Sequence, residues 1–258
     1  MASTEWYVIS LRPRGGHAAL RAAVARHGGR VLALSPWRLR ALDDATTHSD
    51  LRAARACERI LFTSPAAVRC AALLAPLQRR RGQTWLAVGE GTAAALLRAG
   101  IDTVTTPTRQ DSEGLLALPT LQDLHDVNVG LVTAPGGRGL LAETLRQRGA
   151  VLHRADVYVR EALPLSPQAL QCLANLRAPY CLALSSGEAL NQVLAQLPDK
   201  AKTRLLRASV VAASERLAEQ ARKAGFTRII RSEGPQPAQL AKAAANLLSS
   251  NKAFATRC

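Results

Sequence analysis

Short apolar runs alternate with longer stretches of helical periodicity along most of the chain. The runs have the length and composition of strands, and glycines or a Ser-Pro pair mark where the intervening helices begin or end. Predicted strands cover residues 6–11, 31–34, 59–63, 85–88 and a short one at 104, and predicted helices cover 17–27, 51–57, a segment starting at 64, and 91–99. This alternation predicts parallel sheets with helices on both faces.

The second half of the chain repeats the first. Residues 11–16, 60–64 and 88–100 correspond to residues 133–138, 182–186 and 213–225, in the same order and at offsets of 120 to 125 residues. Three matching segments in register indicate two similar α/β units. Ligands of such sheets bind at the carboxyl ends of the strands, beside helix N-termini, so we expect a ligand cleft between the two units.

The composition is that of a folded globular protein. Of the 258 residues, 48% are apolar and 21% are charged, which excludes intrinsic disorder, a collagen-like repeat and a disulfide-stapled miniprotein. No apolar run is long enough for a transmembrane helix, and the first residues lack the basic region and apolar stretch of a signal peptide. We therefore expect a cytoplasmic protein with no membrane partner.

The chain carries a net charge of +15, and only five of its 34 basic residues are lysine. This charge favours a polyanionic partner, namely nucleic acid, an anionic membrane or a small polycarboxylate, unless arginine serves only solubility. A nucleic-acid binder is disfavoured because helix-turn-helix and RNA-binding signatures are missing and only 3% of residues are aromatic. The one tight basic run, Arg79-Arg80-Arg81, is predicted to cap a helix C-terminus.

Neither the cysteines nor the histidines have the spacing of a metal site. The five cysteines form no C-x-x-C pair, and no two of the five histidines are three or four residues apart. Zinc sites usually combine ligands at such local spacings, so we expect no metal. The cysteines are expected to be buried and reduced.

A series of short motifs follows the order and spacing of a known family. Arg12-Pro13 is followed by motifs at 62–68, 88–93, 111–116, 136–138, 141–145, 148–151, 157–160, 185–188 and 214–218. Each motif is weak alone, but the ordered set, over about residues 7–245, resembles the uroporphyrinogen-III synthases. The chain departs from that family at Thr133-Ala134, where many relatives carry Arg-Gly.

The resemblance implies a two-domain α/β fold. Each domain would be a parallel sheet flanked by helices, with a two-stranded linker at residues 36–40 and 157–162 and the ligand cleft between the domains. The first domain would be discontinuous, combining residues 1–36 with 163–258, and the second would comprise residues 37–162.

The resemblance also implies a reaction that uses no metal and no cofactor. Family members are lyases of haem biosynthesis that cyclise hydroxymethylbilane, a linear tetrapyrrole with eight carboxylates, to uroporphyrinogen III. Water is lost and the terminal ring is inverted through a spiro intermediate. The resemblance implies a monomer. It also suggests one protein partner, the upstream enzyme that produces hydroxymethylbilane. The alternative is a two-lobed small-molecule binding or regulatory module without catalysis, which would share the fold.

The departing hydroxyl needs a donor, and Tyr158 matches the family tyrosine placed to serve as one. Its other interpretation is an aromatic side chain that packs the joint between the domains. Candidate ligands of the substrate carboxylates are hydroxyls at helix N-termini and two arginines: Arg12, Ser64, Thr92, Arg138, Ser186 and Ser214. The hydroxyls serve equally well as N-caps, and Arg12 as a tether of its loop. A cation at the start of a helix is unfavourable, which points to a role for Arg138 in the cleft.

Overall fold

The computed structural model of the protein describes residues 5–136 and 139–255, with side chains to residue 249. The chain divides into two compact units. Unit 1 combines residues 1–38 with 161–258, and unit 2 comprises residues 39–160. Each unit has its own parallel sheet and its own buried apolar core.

Unit 1 is built on a five-stranded parallel sheet. Its elements are β1 (Tyr7–Ser10), α1 (Ala18–Ala25), β2 (Arg30–Ala33), α7 (Pro167–Asn175), β9 (Tyr180–Leu184), α8 (Gly187–Gln196), α9 (Asp199–Leu206), β10 (Ser209–Ala212), α10 (Glu215–Lys223), β11 (Ile229–Arg231) and α11 (Pro237–Ala255). The strand order is β11-β10-β9-β1-β2. Val8 of β1 packs in an apolar cluster with Leu20 of α1 and Leu240 of α11, so these helices cover one face of the sheet.

Unit 2 is built on a four-stranded parallel sheet. Its elements are α2 (Ala45–Ala56), β4 (Arg59–Phe62), α3 (Pro65–Leu74), β5 (Thr84–Ala87), α4 (Glu90–Arg98), α5 (Ser112–Leu116), a 3-10 turn (Pro119–Leu121), β6 (Asn128–Thr133), α6 (Leu140–Gln147) and β7 (Val151–Asp156). The strand order is β5-β4-β6-β7.

The sheet of unit 2 is buried on both faces. Ile60 and Phe62 of β4 belong to one apolar cluster, and Leu61 between them belongs to another. Phe62 stacks on Trp85 of β5, with ring centroids 5.5 Å apart. Successive side chains of a strand point to opposite faces, so a strand covered on both sides forms an unbroken apolar run in the sequence.

Two further strands, β3 (Trp37–Ala41) and β8 (Tyr158–Ala162), pair as a two-stranded sheet, and the division between the units falls inside both. On the unit 1 side, Arg38 donates hydrogen bonds of 3.0 and 2.8 Å to the Glu161 carboxylate. On the unit 2 side, the amide of Leu42 donates to the carbonyl of Val157 at 3.1 Å.

The predicted parallel sheets flanked by helices are confirmed, but one predicted helix starts too late. The helix predicted at 51–57 begins at Ala45, because the carboxylate of Asp44 caps it by accepting a hydrogen bond from the Thr47 amide at 2.8 Å. The first turns of α2 are largely polar, so apolar periodicity did not mark them.

Two other local predictions are wrong. Residue 104 lies in no strand, and its neighbour Thr105 forms only an isolated bridge to Leu86. The run Arg79-Arg80-Arg81 caps no helix, because α3 already ends at Leu74. Arg79 instead donates to the carboxylate of Asp102 at 2.8 Å. None of the helices in the described ranges combines the length and apolar character that crossing a membrane requires.

Candidate functional site

A pocket of about 390 Å³ opens in unit 2 at the carboxyl ends of β4 and β6. This is the edge of a parallel sheet where ligands usually bind, because the following helices direct free amide groups toward it. The polar side chains that line it are Thr63, Ser64, Asp111, Ser112, Glu113, Thr133, Arg154, Tyr158 and Arg160. Two of the predicted site residues, Ser64 and Tyr158, therefore lie in one pocket.

Tyr158 and Ser64 are in direct contact. The Tyr158 hydroxyl lies 3.2 Å from Ser64 Oγ. Tyr158 is only 5% exposed and packs in the same apolar cluster as Phe62 and Ala67, which holds its ring in place. Ser64 is the N-cap of α3, where its Oγ accepts a hydrogen bond from the Ala67 amide at 3.0 Å.

One hydroxyl proton of this pair remains available to hydrogen-bond a ligand. Ser64 and Tyr158 together carry two hydroxyl protons, and their mutual contact uses one of them. If the Ser64 hydroxyl donates to the phenol oxygen, the Tyr158 proton stays available at the pocket wall. The same bond would stabilise negative charge that develops on the phenol oxygen as it gives up its proton.

A second pair of hydroxyls lies beside the first. Thr63 follows β4 and Thr133 ends β6, and their Oγ1 atoms are 2.8 Å apart. Neither threonine was predicted to bind a ligand. A signal was present for Thr63, which belongs to the motif at 62–68 next to Ser64. No signal was present for Thr133, because only the pairing of β4 with β6 brings it next to Thr63.

Two arginines supply positive charge to the pocket, and neither was predicted. Arg154 of β7 donates to the Asp156 carboxylate at 3.1 and 3.0 Å and to the Ala134 carbonyl at 3.2 Å. Arg160 lies in the motif at 157–160 and lines the same pocket. Arg154 gave no sequence signal, because the pattern along β7 does not show which of its side chains faces a pocket.

The two carboxylates in the lining have cationic partners. Asp111 accepts from the Gly114 amide at 2.8 Å, as the N-cap of α5, and from Arg109 Nε at 2.5 Å. Glu113 lies 3.7 Å from the Arg109 guanidinium. Both acids are therefore partly neutralised. No three His, Cys, Asp or Glu side chains of the described residues come together as metal ligands would.

The remaining predicted residues of this half of the chain are Thr92 and Arg138. Thr92 lies in the first turn of α4 and is only 2% exposed, and it is absent from the pocket lining. The start of α4 is covered by Gln110, whose side chain accepts a hydrogen bond from the Glu90 amide at 3.3 Å. Arg138 lies outside the described residues.

The other three predicted residues share one edge of the unit 1 sheet. Arg12, Ser186 and Ser214 follow β1, β9 and β10, which are adjacent and parallel. Ser186 caps α8 by accepting from an amide at 3.2 Å, and Ser214 caps α10 in the same way at 3.4 Å. Burial lowers the pKa of the Arg12 guanidinium, and a cation with reduced hydration gains more from an anionic ligand.

A buried histidine connects the ends of β1 and β2 next to Arg12. His17 is 3% exposed, with Nδ1 3.0 Å from Ser10 Oγ and Nε2 2.8 Å from Ser35 Oγ. Burial, together with the nearby charges of Arg21 and Arg12, lowers the pKa of His17 to about 4. The ring is therefore neutral at pH 7 and can hold both serines in one hydrogen-bond network.

We expect this histidine to make the protein less stable in mild acid. The unfolded chain takes up the His17 proton near pH 6.5 and the folded chain only near pH 4. Protonation therefore favours unfolding, and stability falls as the pH drops through this window, by up to about 3 kcal/mol.

Urea unfolding of wild type and His17→Gln at pH values across the window tests this. The variant should show the shallower pH dependence, whereas His27→Gln, which alters an exposed histidine, should keep the wild-type slope. Equal slopes in wild type and His17→Gln would contradict the assignment.

Comparison with known proteins agrees with the fold. A solved uroporphyrinogen III synthetase from Helicobacter pylori matches 93% of this chain and 99% of its own, with a TM-score of 0.59 at 15% identity. A mutant uroporphyrinogen III synthase from Thermus thermophilus matches 97% of this chain and 99% of its own, with a TM-score of 0.57 at 19% identity. At such low identity these likenesses show the fold.

Sequence comparison identifies the family. The uroporphyrinogen-III synthase of Salmonella typhimurium is 33% identical over 159 residues, which are 58% of this chain and 65% of that protein. The Escherichia coli enzyme of the same name is 31% identical over 147 residues, 56% of this chain and 60% of its own. The matches thus span less than two thirds of either relative. The family model for uroporphyrinogen-III synthase HemD, however, matches residues 18–242, and the chain therefore belongs to the uroporphyrinogen-III synthase family.

Proposed function

We propose that this protein is a uroporphyrinogen-III synthase, a lyase that cyclises hydroxymethylbilane to uroporphyrinogen III with loss of water and inversion of the terminal pyrrole ring. The observation that carries the proposal is the 3.2 Å contact between the Tyr158 hydroxyl and Ser64 Oγ at the wall of the unit 2 pocket. Family membership over residues 18–242 supports it.

The first chemical step requires a proton donor. As the carbon–oxygen bond of the terminal hydroxymethyl group breaks, the pyrrole nitrogen supplies electrons and the departing oxygen takes the Tyr158 proton to leave as water. Ser64, donating to the phenol oxygen, stabilises the phenolate that forms. The phenolate recovers a proton after ring closure, when the rearranged macrocycle loses one, so the enzyme ends as it began.

The second step depends on orientation. The electrophilic end of the chain must meet the substituted position of the last pyrrole ring and not the free position, which gives the type I isomer. Positioning of this kind can supply most of a rate enhancement without further catalytic groups. In this proposal the substrate carboxylates are held by Arg154 and Arg160, and by the hydroxyls of Thr63 and Thr133, in unit 2.

Unit 1 would contribute further carboxylate contacts. Arg12, Ser186 and Ser214 combine a guanidinium with two helix N-termini at one sheet edge, where amide groups and a cation suit carboxylates. The net charge of +15 also suits a substrate with eight carboxylates. Because free hydroxymethylbilane closes spontaneously to the type I isomer, we infer that the protein, acting as a cytoplasmic monomer, receives it directly from the enzyme that makes it.

A coupled assay tests the proposal. Hydroxymethylbilane is generated in situ, the purified protein is added at catalytic concentration, and the oxidised products are separated into type I and type III isomers. Predominantly type III product, against only type I without the protein, is the expected result. Only type I product from a folded sample would refute the synthase and leave a two-lobed binding module as the function.

Ser64 should matter beyond its role as a helix cap. Ser64→Gly removes the hydroxyl next to Tyr158 but keeps a good N-cap residue, so it should cost only about 0.5 kcal/mol of stability. We expect type III formation to slow about tenfold, since the phenol loses one hydrogen-bond donor. Asp44→Gly, which alters the cap of α2 in the same unit, is the matched control and should keep wild-type turnover. An equal loss of turnover in both variants would show that Ser64 acts only as the N-cap of α3.

A further inference from the structure

Four arginines surround a depression of about 380 Å³ on unit 1. Arg177 precedes β9, Arg204 and Arg207 lie at the end of α9, and Arg228 precedes β11. Strands β9, β10 and β11 are parallel neighbours, so their amino ends share one edge of the sheet. Residues far apart in the sequence thus form one basic cluster, called here the arginine cluster.

The arginine cluster has no counter-charge in the described part of the chain. Its lining contains no acidic side chain, and no described carboxylate lies within ion-pair distance of any of the four guanidinium groups. Like charges that line one depression repel one another, and an anion bound among them removes that repulsion. The four unbalanced positive charges therefore favour binding of an anionic ligand.

Part of the cluster is held rigidly before any ligand binds. Arg204 donates a hydrogen bond to the Leu176 carbonyl, and its guanidinium lies 5.7 Å from the centre of the Tyr180 ring. The Tyr180 hydroxyl donates to the Arg204 carbonyl at 2.8 Å. Arg204 Nε is buried without a hydrogen-bond partner among the described residues. A fixed guanidinium loses less conformational entropy when it binds a ligand.

Tyr180 lines the same depression and is influenced by three of the four charges. Burial raises the pKa of the Tyr180 phenol, while the positive charges of Arg204, Arg207 and Arg228 act in the opposite direction. Three of the four guanidinium groups therefore act electrostatically on a single side chain, and their field adds up within the depression.

We propose that the arginine cluster binds a small, multiply charged oxyanion, such as a diphosphate or a tricarboxylate. Guanidinium groups bind both kinds of oxyanion through paired hydrogen bonds, and the volume of about 380 Å³ falls in the range of small-molecule sites. The site is distinct from Arg12, Ser186 and Ser214, which lie at the opposite edge of the same sheet, about 13 Å away along a five-residue strand.

Calorimetric titration with two probes tests the proposal without measuring activity. Pyrophosphate and citrate are titrated separately, at low ionic strength, into wild-type protein and into the double variant Arg207→Gln/Arg228→Gln. The variant should bind at least about tenfold more weakly, because two of four charges are removed. The control, Arg26→Gln/Arg98→Gln, carries the same net charge but alters exposed arginines outside the cluster, and should bind like wild type.

The two probes also distinguish the sources of the anion. Binding of either probe that is lost in the cluster variant, kept in the control and weakened by added salt supports the site. Tighter binding of pyrophosphate assigns it to phosphate compounds, and tighter binding of citrate assigns it to polycarboxylates. No binding of either probe at millimolar concentration, or equal weakening in both double variants, would overturn the proposal.

Discussion

Replacing Tyr158 with phenylalanine should lower the kcat for type III product about a hundredfold, which is the contribution expected of one general acid. The substitution removes only the hydroxyl that lies 3.2 Å from Ser64 Oγ. The ring stays in the apolar cluster that buries it, so the free energy of unfolding should change by no more than about 1 kcal/mol. The rate of type III formation at saturating substrate and a urea unfolding curve measure the two quantities.

A matched variant separates the loss of the hydroxyl from any general effect of a tyrosine substitution. Tyr7→Phe removes a hydroxyl that donates to Glu5 at 3.1 Å on the exposed start of β1, and it should keep wild-type turnover. Type III product must be the readout, because type I product forms without an enzyme. If Tyr158→Phe turns over within about twofold of wild type, Tyr158 has no part in the loss of water, and the aromatic packing role is what remains.

Gly130→Ala should destabilise unit 2 by about 3 kcal/mol or more, enough to unfold a marginal domain. Gly130 lies in the middle of β6, where α2 crosses the sheet. A Cβ atom there would come 2.1 Å from the carbonyl oxygen of Ala54 and 2.8 Å from its carbonyl carbon. These atoms belong to the backbone of a helix packed against the sheet, and Ala54 itself is fully buried, so they cannot move aside as a side chain would. Urea unfolding, followed by circular dichroism, gives the loss of stability.

Gly91→Ala is the matched control for this substitution. Gly91 lies in the first turn of α4, where an added Cβ would meet nothing closer than Pro65 Cγ at 3.7 Å. Alanine loses less conformational entropy than glycine in a helix, so this variant should be more stable than wild type by about 0.5–1 kcal/mol. A loss of stability in both variants, or in neither, would show that the close approach of β6 to α2 is not what requires glycine at Gly130.

Features that depend on neighbouring residues could be predicted from the sequence. Ser64, Ser186 and Ser214 were expected at helix N-termini, and each accepts an amide hydrogen bond three residues ahead. N-capping and strand formation are decided within a few residues, so local composition carries the information. Tyr158 was different, because its suggested role came from the resemblance to a family and not from its neighbours.

Features that join distant residues could not be predicted. Thr63 and Thr133 are 70 residues apart, and only the pairing of β4 with β6 brings their hydroxyls together. The burial of Thr92, which stays a predicted ligand contact, follows from the packing of α4 and not from its neighbours in the sequence. The arginine cluster could not be predicted for the same reason. Its four arginines are far apart in the sequence, where they look like solubilising residues, and only the pairing of β9, β10 and β11 brings them together.

The sequence by itself determined the alternation of strands and helices, the repeat of two α/β units, the three serine caps and the family, because each depends on local pattern or on ordered motifs. The tertiary structure alone decided which side chains share a pocket. It placed Tyr158 against Ser64, brought Arg154 to the same lining and gathered four arginines at one sheet edge. The physical reason is that strand order and packing set the distances between residues remote in sequence, and no local pattern encodes them.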